Sequence, residues 1–231
     1  MSEQLYRSSK NPESSKTSVI VLPEIFGMNG FIKATTDRFA EELGYKAFAL
    51  DHFYPVTGVS RVYDYGNHEE PMKAMQQVTG DKFVEQFTTV LDEIQKANPD
   101  VSEFVVCGFC FGGRLSFLTG VDKRVQRIMS FYGSNAQTTD FYQGESVVQA
   151  LCDARSGDES LKVIAVYGET DPTLPEEARA QTKQQIKAAG INFEEKVYSA
   201  GHAFMNFERD NMHSAEASRQ AWSDVTAFLK G

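Results

Sequence analysis

The 231-residue chain is long enough for one large α/β domain or two small ones, and its 41% apolar and 12% aromatic content supplies a sizeable core. Its net charge of −9, from 23 basic and 32 acidic residues, argues against binding to nucleic acid or an anionic membrane surface. No stretch approaches the roughly 18–20 apolar residues that span a bilayer, the N-terminus lacks the apolar centre of a secretory signal, and three cysteines make no disulfide framework. The expected setting is a reducing cytoplasm, with no membrane and no nucleic acid among the partners.

Residues 1–16 are polar and rich in Ser and Lys, and read as an N-terminal tail or a short edge element ahead of one domain over 17–231. Residues 18–22 form a continuous apolar run of the kind buried on both faces of a parallel sheet, ending in Pro23-Glu24-Ile25-Phe26-Gly27. The spacing of Ile32, Thr35, Phe39 and Leu43 predicts a helix over 29–43, with Gly44 as its stop. A second strand over 45–50 ends at Asp51-His52. Residues 52–80 show no clean period and carry Pro55, Gly58, Gly66, Pro71 and Gly80, which marks a functional excursion rather than a linker. A helix over 81–96 places Phe83, Phe87, Val90 or Leu91, and Ile94 on one side, and Asn98-Pro99-Asp100 turns the chain back.

Phe104-Val105-Val106 then begins a strand that runs into Gly108-Phe109-Cys110-Phe111-Gly112. A short helix over 114–120 and a strand over 126–132 follow, and residues 134–160 read as irregular. A strand over 161–167 ends in Gly168-Glu169-Thr170-Asp171, and Pro175-Glu176-Glu177 begins a helix that Gly190 closes. The last strand, 193–198, leads to Ala200-Gly201-His202. A final helix from about Ser214 carries Ala221, Trp222, Val225 and Leu229 on its inner stripe. About six strands alternating with helices predict an α/β fold: one mostly parallel, doubly wound sheet flanked by helices.

Open α/β sheets build their sites at the carboxyl ends of strands. Glu24, Asp51 with His52, Cys110, Asp171 and His202 all fall there. Cys110 stands at the nucleophile position of a G-x-C-x-G elbow, and Cys110, Asp171 and His202 follow the chain order of α/β hydrolases. The thiolate is the reactive form, and N–H groups at the start of the next helix favour it. A cysteine that only packs a core needs no Gly108, Gly112 and Gly113 around it. Cys107-x-x-Cys110 also spells a redox pair, but Cys107 falls inside the strand rather than at a helix start, and no second pair completes a zinc site. His202 suits a general base that Asp171 orients, with Glu169 as a competing acid and turn capping as a plain alternative for Asp171. Glu24 follows a buried strand, where a carboxylate is costly unless paired. Ser116 and Ser134 have no elbow.

The segments from Pro23 to Gly27 and from Gly108 to Gly113, Tyr132-Gly133, Gly168-Glu169-Thr170-Asp171 and Gly201-His202-Ala203-Phe204 span 23–204. Together they resemble the dienelactone hydrolase, carboxymethylenebutenolidase-like, family of the α/β-hydrolase fold. The resemblance implies a triad of Cys110, Asp171 and His202, a Glu24 that contacts the thiol and helps form the thiolate when substrate binds, and an oxyanion hole at the N–H groups of Ile25 and Phe111. It implies attack of Cys110 on a small lactone or ester, a thioester, and hydrolysis with His202 as base, with no metal and no organic cofactor. Family members that act on dienelactone hold its carboxylate with two arginines. Here one position is Asn206, with Arg209 nearest, and the other falls on His68, with Arg61 and Lys73 nearby. Histidine and asparagine do not reproduce an arginine fork. These side chains, with Phe26 and Phe204, are the candidate substrate contacts. The segment before the first clear strand is also short for the family. The expected assembly is a monomer or weak homodimer, and the rival expectation is a non-catalytic or redox-responsive binding protein that keeps the fold.

Overall fold

A computed structural model describes residues 3–231. In chain order its elements are β1 (Leu5–Arg7), β2 (Thr17–Leu22), α1 (Gly30–Leu43), β3 (Lys46–Leu50), α2 (Tyr54–Thr57), α3 (Glu69–Gln77), α4 (Gly80–Ala97) and β4 (Glu103–Phe109). There follow α5 (Phe111–Leu118), β5 (Val125–Phe131), α6 (Val147–Arg155), β6 (Lys162–Gly168), α7 (Glu176–Ala188), β7 (Asn192–Tyr198) and α8 (Ala215–Lys230). The apolar runs become one seven-stranded sheet of order β1-β3-β2-β4-β5-β6-β7, parallel except where β1 meets β3. Val19 to Leu22 and Phe104 to Phe109 are buried throughout, as central strands covered on both faces must be.

Helices close both faces. Phe39 of α1 and Trp222 of α8 lie 4.9 Å apart, and the Trp222 indole N–H donates to Glu42 at 2.7 Å. α5, α6 and α7 pack in series on the opposite face, where right-handed crossovers that progress from β4 to β7 must put them. Asn29 caps α1 by accepting from the Ile32 N–H, and Ser214 does the same for α8 from Ala217.

Two elements depart from the sequence expectation, and a third decides between two readings. Of the tail and the short edge element left open for 1–16, the described residues form the edge element: Leu5 to Arg7 pair with Phe48 to Leu50, and Asn11 accepts from the Ala47 N–H at 2.7 Å. So polar a segment shows no period, because only Leu5 and Ser8 are buried in its described part. The excursion after β3 holds a helix, α3, that buries only Pro71 and Ala74 and so shows little apolar stripe. The 134–160 region contains α6, whose start is signalled by Ser146 accepting from the Gln149 N–H at 3.1 Å.

The chain leaves β2 towards β3 on one side and later continues from β4 to β5 on the other. That reversal places a crevice at the carboxyl ends of β2 and β4, where Glu24 and Cys110 follow. The two ends are locked together at Gly112. Its N–H donates to the Pro23 carbonyl at 3.0 Å, and a Cβ there would lie 2.4 Å from both the Leu22 and Pro23 carbonyl oxygens. Backbone cannot yield as a side-chain tip does. Gly112→Ala is therefore expected to destabilise the fold by about 1–3 kcal/mol or more, read as a lower urea midpoint.

Candidate active site

Cys110 stands between β4 and α5 at φ 54° and ψ −114°, a strained turn that lifts its side chain off the sheet. Its own N–H is tied to the Phe131 carbonyl at 3.0 Å, so the turn is held from the neighbouring strand. His202 Nε2 lies 3.2 Å from Cys110 Sγ. His202 Nδ1 lies 2.6 Å from Asp171 Oδ2, and Asp171 Oδ1 accepts from the Thr173 N–H and hydroxyl at 2.8 and 2.7 Å. The expected acid, base and thiol are thus brought together in one unbroken relay.

Acid and imidazole meet because Gly168 lets the ends of β6 and β7 touch. A Cβ at Gly168 would sit 2.4 Å from the Ala200 carbonyl, and the Thr170 N–H donates to that same carbonyl at 3.1 Å. Burial also decides between the competing acids, since Asp171 is buried and Glu169 is exposed. Burial alone would raise the Asp171 pKa, but its hydrogen bonds to His202 and Thr173 outweigh that and hold it below the usual carboxylate range. Burial likewise opposes charge on His202, yet the bonds to Asp171 and Cys110 raise its pKa from 6.5 to about 10.

Ile25 and Phe111, the expected oxyanion-hole donors, directly follow Glu24 and Cys110 at the two strand ends that Gly112 joins. No loop or capping bond among the described residues uses the N–H of either. Glu24 is 1% exposed and is not hydrogen-bonded to Cys110; its Oε2 accepts from Asn206 Nδ2 at 2.6 Å. Burial raises the Glu24 pKa, against the Asn206 bond and the charges of Arg209 and His202. A polar cluster continues outward through the Tyr65 hydroxyl, which accepts from Asn206 and Asn29 and donates to Glu208. Tyr65, Thr173 and Tyr132 are the members that no motif singled out for a role. For Thr173, the turn Asp171-Pro172-Thr173 was the available signal.

The candidate substrate contacts divide. Phe26 is buried with His68 edge-on at 5.4 Å, and the Arg209 guanidinium lies over the Phe26 and Tyr65 rings at 5.1 and 5.5 Å. Phe204 is wholly buried against Tyr132 and Tyr198, so it is part of the wall behind His202. Lys73 is exposed and paired with Glu69 at 2.5 Å. The exposed Arg61 acts through its backbone, which ties Asp51 and Met28 into the excursion. A cleft of about 320 Å³ opens beside Thr173, lined by Gly133, Asn135, Gln137 and Leu174 among other uncharged residues.

Alternative nucleophiles and bases are accounted for. Ser116 is buried and donates to the Gly113 carbonyl at 2.7 Å. Cys107 is buried in β4, which pushes its thiol pKa well up. His52 is buried with neither ring nitrogen bonded and packs on Phe53 and Phe111; burial lowers its pKa to about 3, so it stays neutral. His213 Nδ1 donates to the Phe204 carbonyl at 2.9 Å. Among the described residues no three His, Cys, Asp or Glu side chains are grouped to hold a metal, and no helix is long and apolar enough to cross a membrane.

Because the folded chain favours the imidazolium, that stabilisation is complete below about pH 6.5 and is lost as pH rises towards about 10. Asp171→Asn removes the charge that holds it. The His202 ring should then titrate about 1–3 units lower, as followed by NMR of its ring protons.

The chain is similar to known proteins along almost its whole length. The family model described as "Dienelactone hydrolase family" matches residues 4–231. A "Putative carboxymethylenebutenolidase" of Salmonella typhimurium is 26% identical over 226 residues, covering 97% of this chain and 80% of the relative. One of the same name from Saccharolobus solfataricus is 27% identical, covering 95% and 91%. The crystal structure of a "Putative Dienelactone Hydrolase" from Klebsiella pneumoniae superposes with a TM-score of 0.82 at 23% identity, over 96% of this chain and 90% of that one. With the match running through almost the whole sequence, the chain belongs to the dienelactone hydrolase family and is a hydrolase of α/β-hydrolase fold.

Proposed function

We propose that the protein is a cysteine-dependent hydrolase that opens a small lactone or ester through a thioester on Cys110. The observation that carries this reading is the relay from Asp171 through His202 to the thiol, at 2.6 and 3.2 Å. The Cys110 proton passes to His202 Nε2, and the thiolate attacks the carbonyl carbon. Negative charge gathers on the carbonyl oxygen, where the N–H groups of Ile25 and Phe111 receive it. The tetrahedral centre collapses, the carbon–oxygen ester bond breaks, and the imidazolium returns the proton to the leaving alkoxide. Water then gives a proton to His202 and attacks the thioester, expelling the thiolate and leaving a carboxylic acid.

Asp171 holds the imidazole in place and favours its charged form throughout. Glu24 aids thiolate formation from a distance: as a carboxylate it favours the imidazolium of His202, whose charge lies within its reach. The uncharged cleft beside Thr173 suits the part of the substrate that carries no charge. Arg209 and His68, gathered on Phe26, are the groups available to a substrate carboxylate. A cytoplasmic setting fits three free thiols that a reducing compartment preserves.

Cys110→Ala and His202→Ala are each expected to lower kcat/KM for p-nitrophenyl acetate and cis-dienelactone by about 10³-fold or more. Hydrolysis that survives in either variant sinks the assignment.

A further inference from the structure

Tyr132, at the end of β5, is completely buried, and its hydroxyl has no hydrogen-bond partner among the described residues. Glu24 shows the same feature at Oε1. The two orphans are neighbours: the Tyr132 hydroxyl lies close enough to Glu24 to act on its carboxyl group, and within electrostatic reach of Cys110 and Cys107. Unmade bonds in so dry a place leave each group with its full desolvation penalty.

The backbone adds a third sign. Tyr132 has φ 39°, a region that a bulky aromatic residue rarely adopts. It is held there by its N–H, which donates to the Val166 carbonyl at 2.8 Å, and by its ring, set edge-on to His202 at 5.1 Å and Phe204 at 5.7 Å. Strain of this kind persists where the surroundings over-determine it, and it collects at functional sites. Here it aims a phenol at the carboxyl group that the triad does not use.

We propose that Tyr132 is a positioning residue whose hydroxyl donates to Glu24 Oε1 when Glu24 ionises, which sets the pH at which the Cys110–His202 pair becomes active. The inference rests on reading Cys110 as the nucleophile. A neutral Glu24 carboxyl tolerates one missing partner, whereas a carboxylate in the same place needs a second donor. Glu24 is faced by Asn206, Arg209 and His202 from the loop after β7, by Tyr65 from the segment before α3, and by Tyr132. Asn206 is already bonded at Oε2, Arg209 acts through charge, His202 serves the triad, and Tyr65 donates its hydrogen to Glu208. That leaves the Tyr132 hydroxyl as the free donor. No covalent bond changes: the proton lost by Glu24 goes to solvent, and the resulting charge favours the imidazolium that accompanies the thiolate.

Tyr132→Phe removes one oxygen and keeps the ring. The acid limb of kcat/KM for p-nitrophenyl acetate is expected to move up by about one pH unit, the size of one hydrogen bond to a charged group. The alkaline limb and KM stay where they are. Alkylation of Cys110 by iodoacetamide, read from the mass of its peptide, should show the same displacement. In a Glu24→Gln background the substitution should shift neither profile further. An unmoved acid limb, or a uniform loss at every pH, overturns the proposal. Cys110→Ala separates the two levels: if it leaves hydrolysis intact, the nucleophile assignment falls. If it abolishes hydrolysis while Tyr132→Phe leaves the limb in place, only the role of Tyr132 falls.

Discussion

The site depends on the close approach of Gly112 to the Leu22 and Pro23 carbonyls. That contact fixes the elbow against the end of β2, so Cys110, Glu24 and Ile25 come from distant parts of the chain to one point. A second approach, of Gly168 to the Ala200 carbonyl, does the same for Asp171 and His202. Neither contact involves a side chain, and neither tolerates one. Rigid strands therefore set the geometry, and the loops between them inherit it.

Two carboxyl groups within this frame are driven in opposite directions. Asp171 is buried but takes three hydrogen bonds, and so remains an anion that steadies the imidazole. Glu24 is buried with one bond, and its charge is disfavoured. Titratable neighbours pushed apart by their surroundings carry different roles in the same chemistry. Around Asp171 the charge is steady; around Glu24 it is poised, and Tyr132, Arg209 and Asn206 decide which way it falls.

Much of this was legible in the sequence. Strand ends can be read from apolar runs that stop at glycine, and the order Cys110, Asp171, His202 then points to one chemistry. What the sequence could not carry were relations between side chains far apart along it. Glu169 and Asp171 look alike in sequence, and burial separates them. Asn206 stands where a substrate-binding arginine was expected, and only the fold shows that it holds Glu24 instead. Lys73 shares a segment with His68, but one helical turn directs its ammonium to Glu69. α3 escaped because a short element with two buried residues leaves no period to detect, and α6 because it is only nine residues long, set within a polar and irregular stretch.

The central claim is that the acyl group passes through sulfur at Cys110. The direct measurement is acid quenching of the protein during turnover of p-nitrophenyl acetate, followed by peptide mass mapping. Acetylation of the peptide that contains Cys110, at that sulfur and lost on further incubation, is the expected result. Turnover with the acetyl group on another residue, or with no acyl-enzyme while Cys110 remains free, would contradict it.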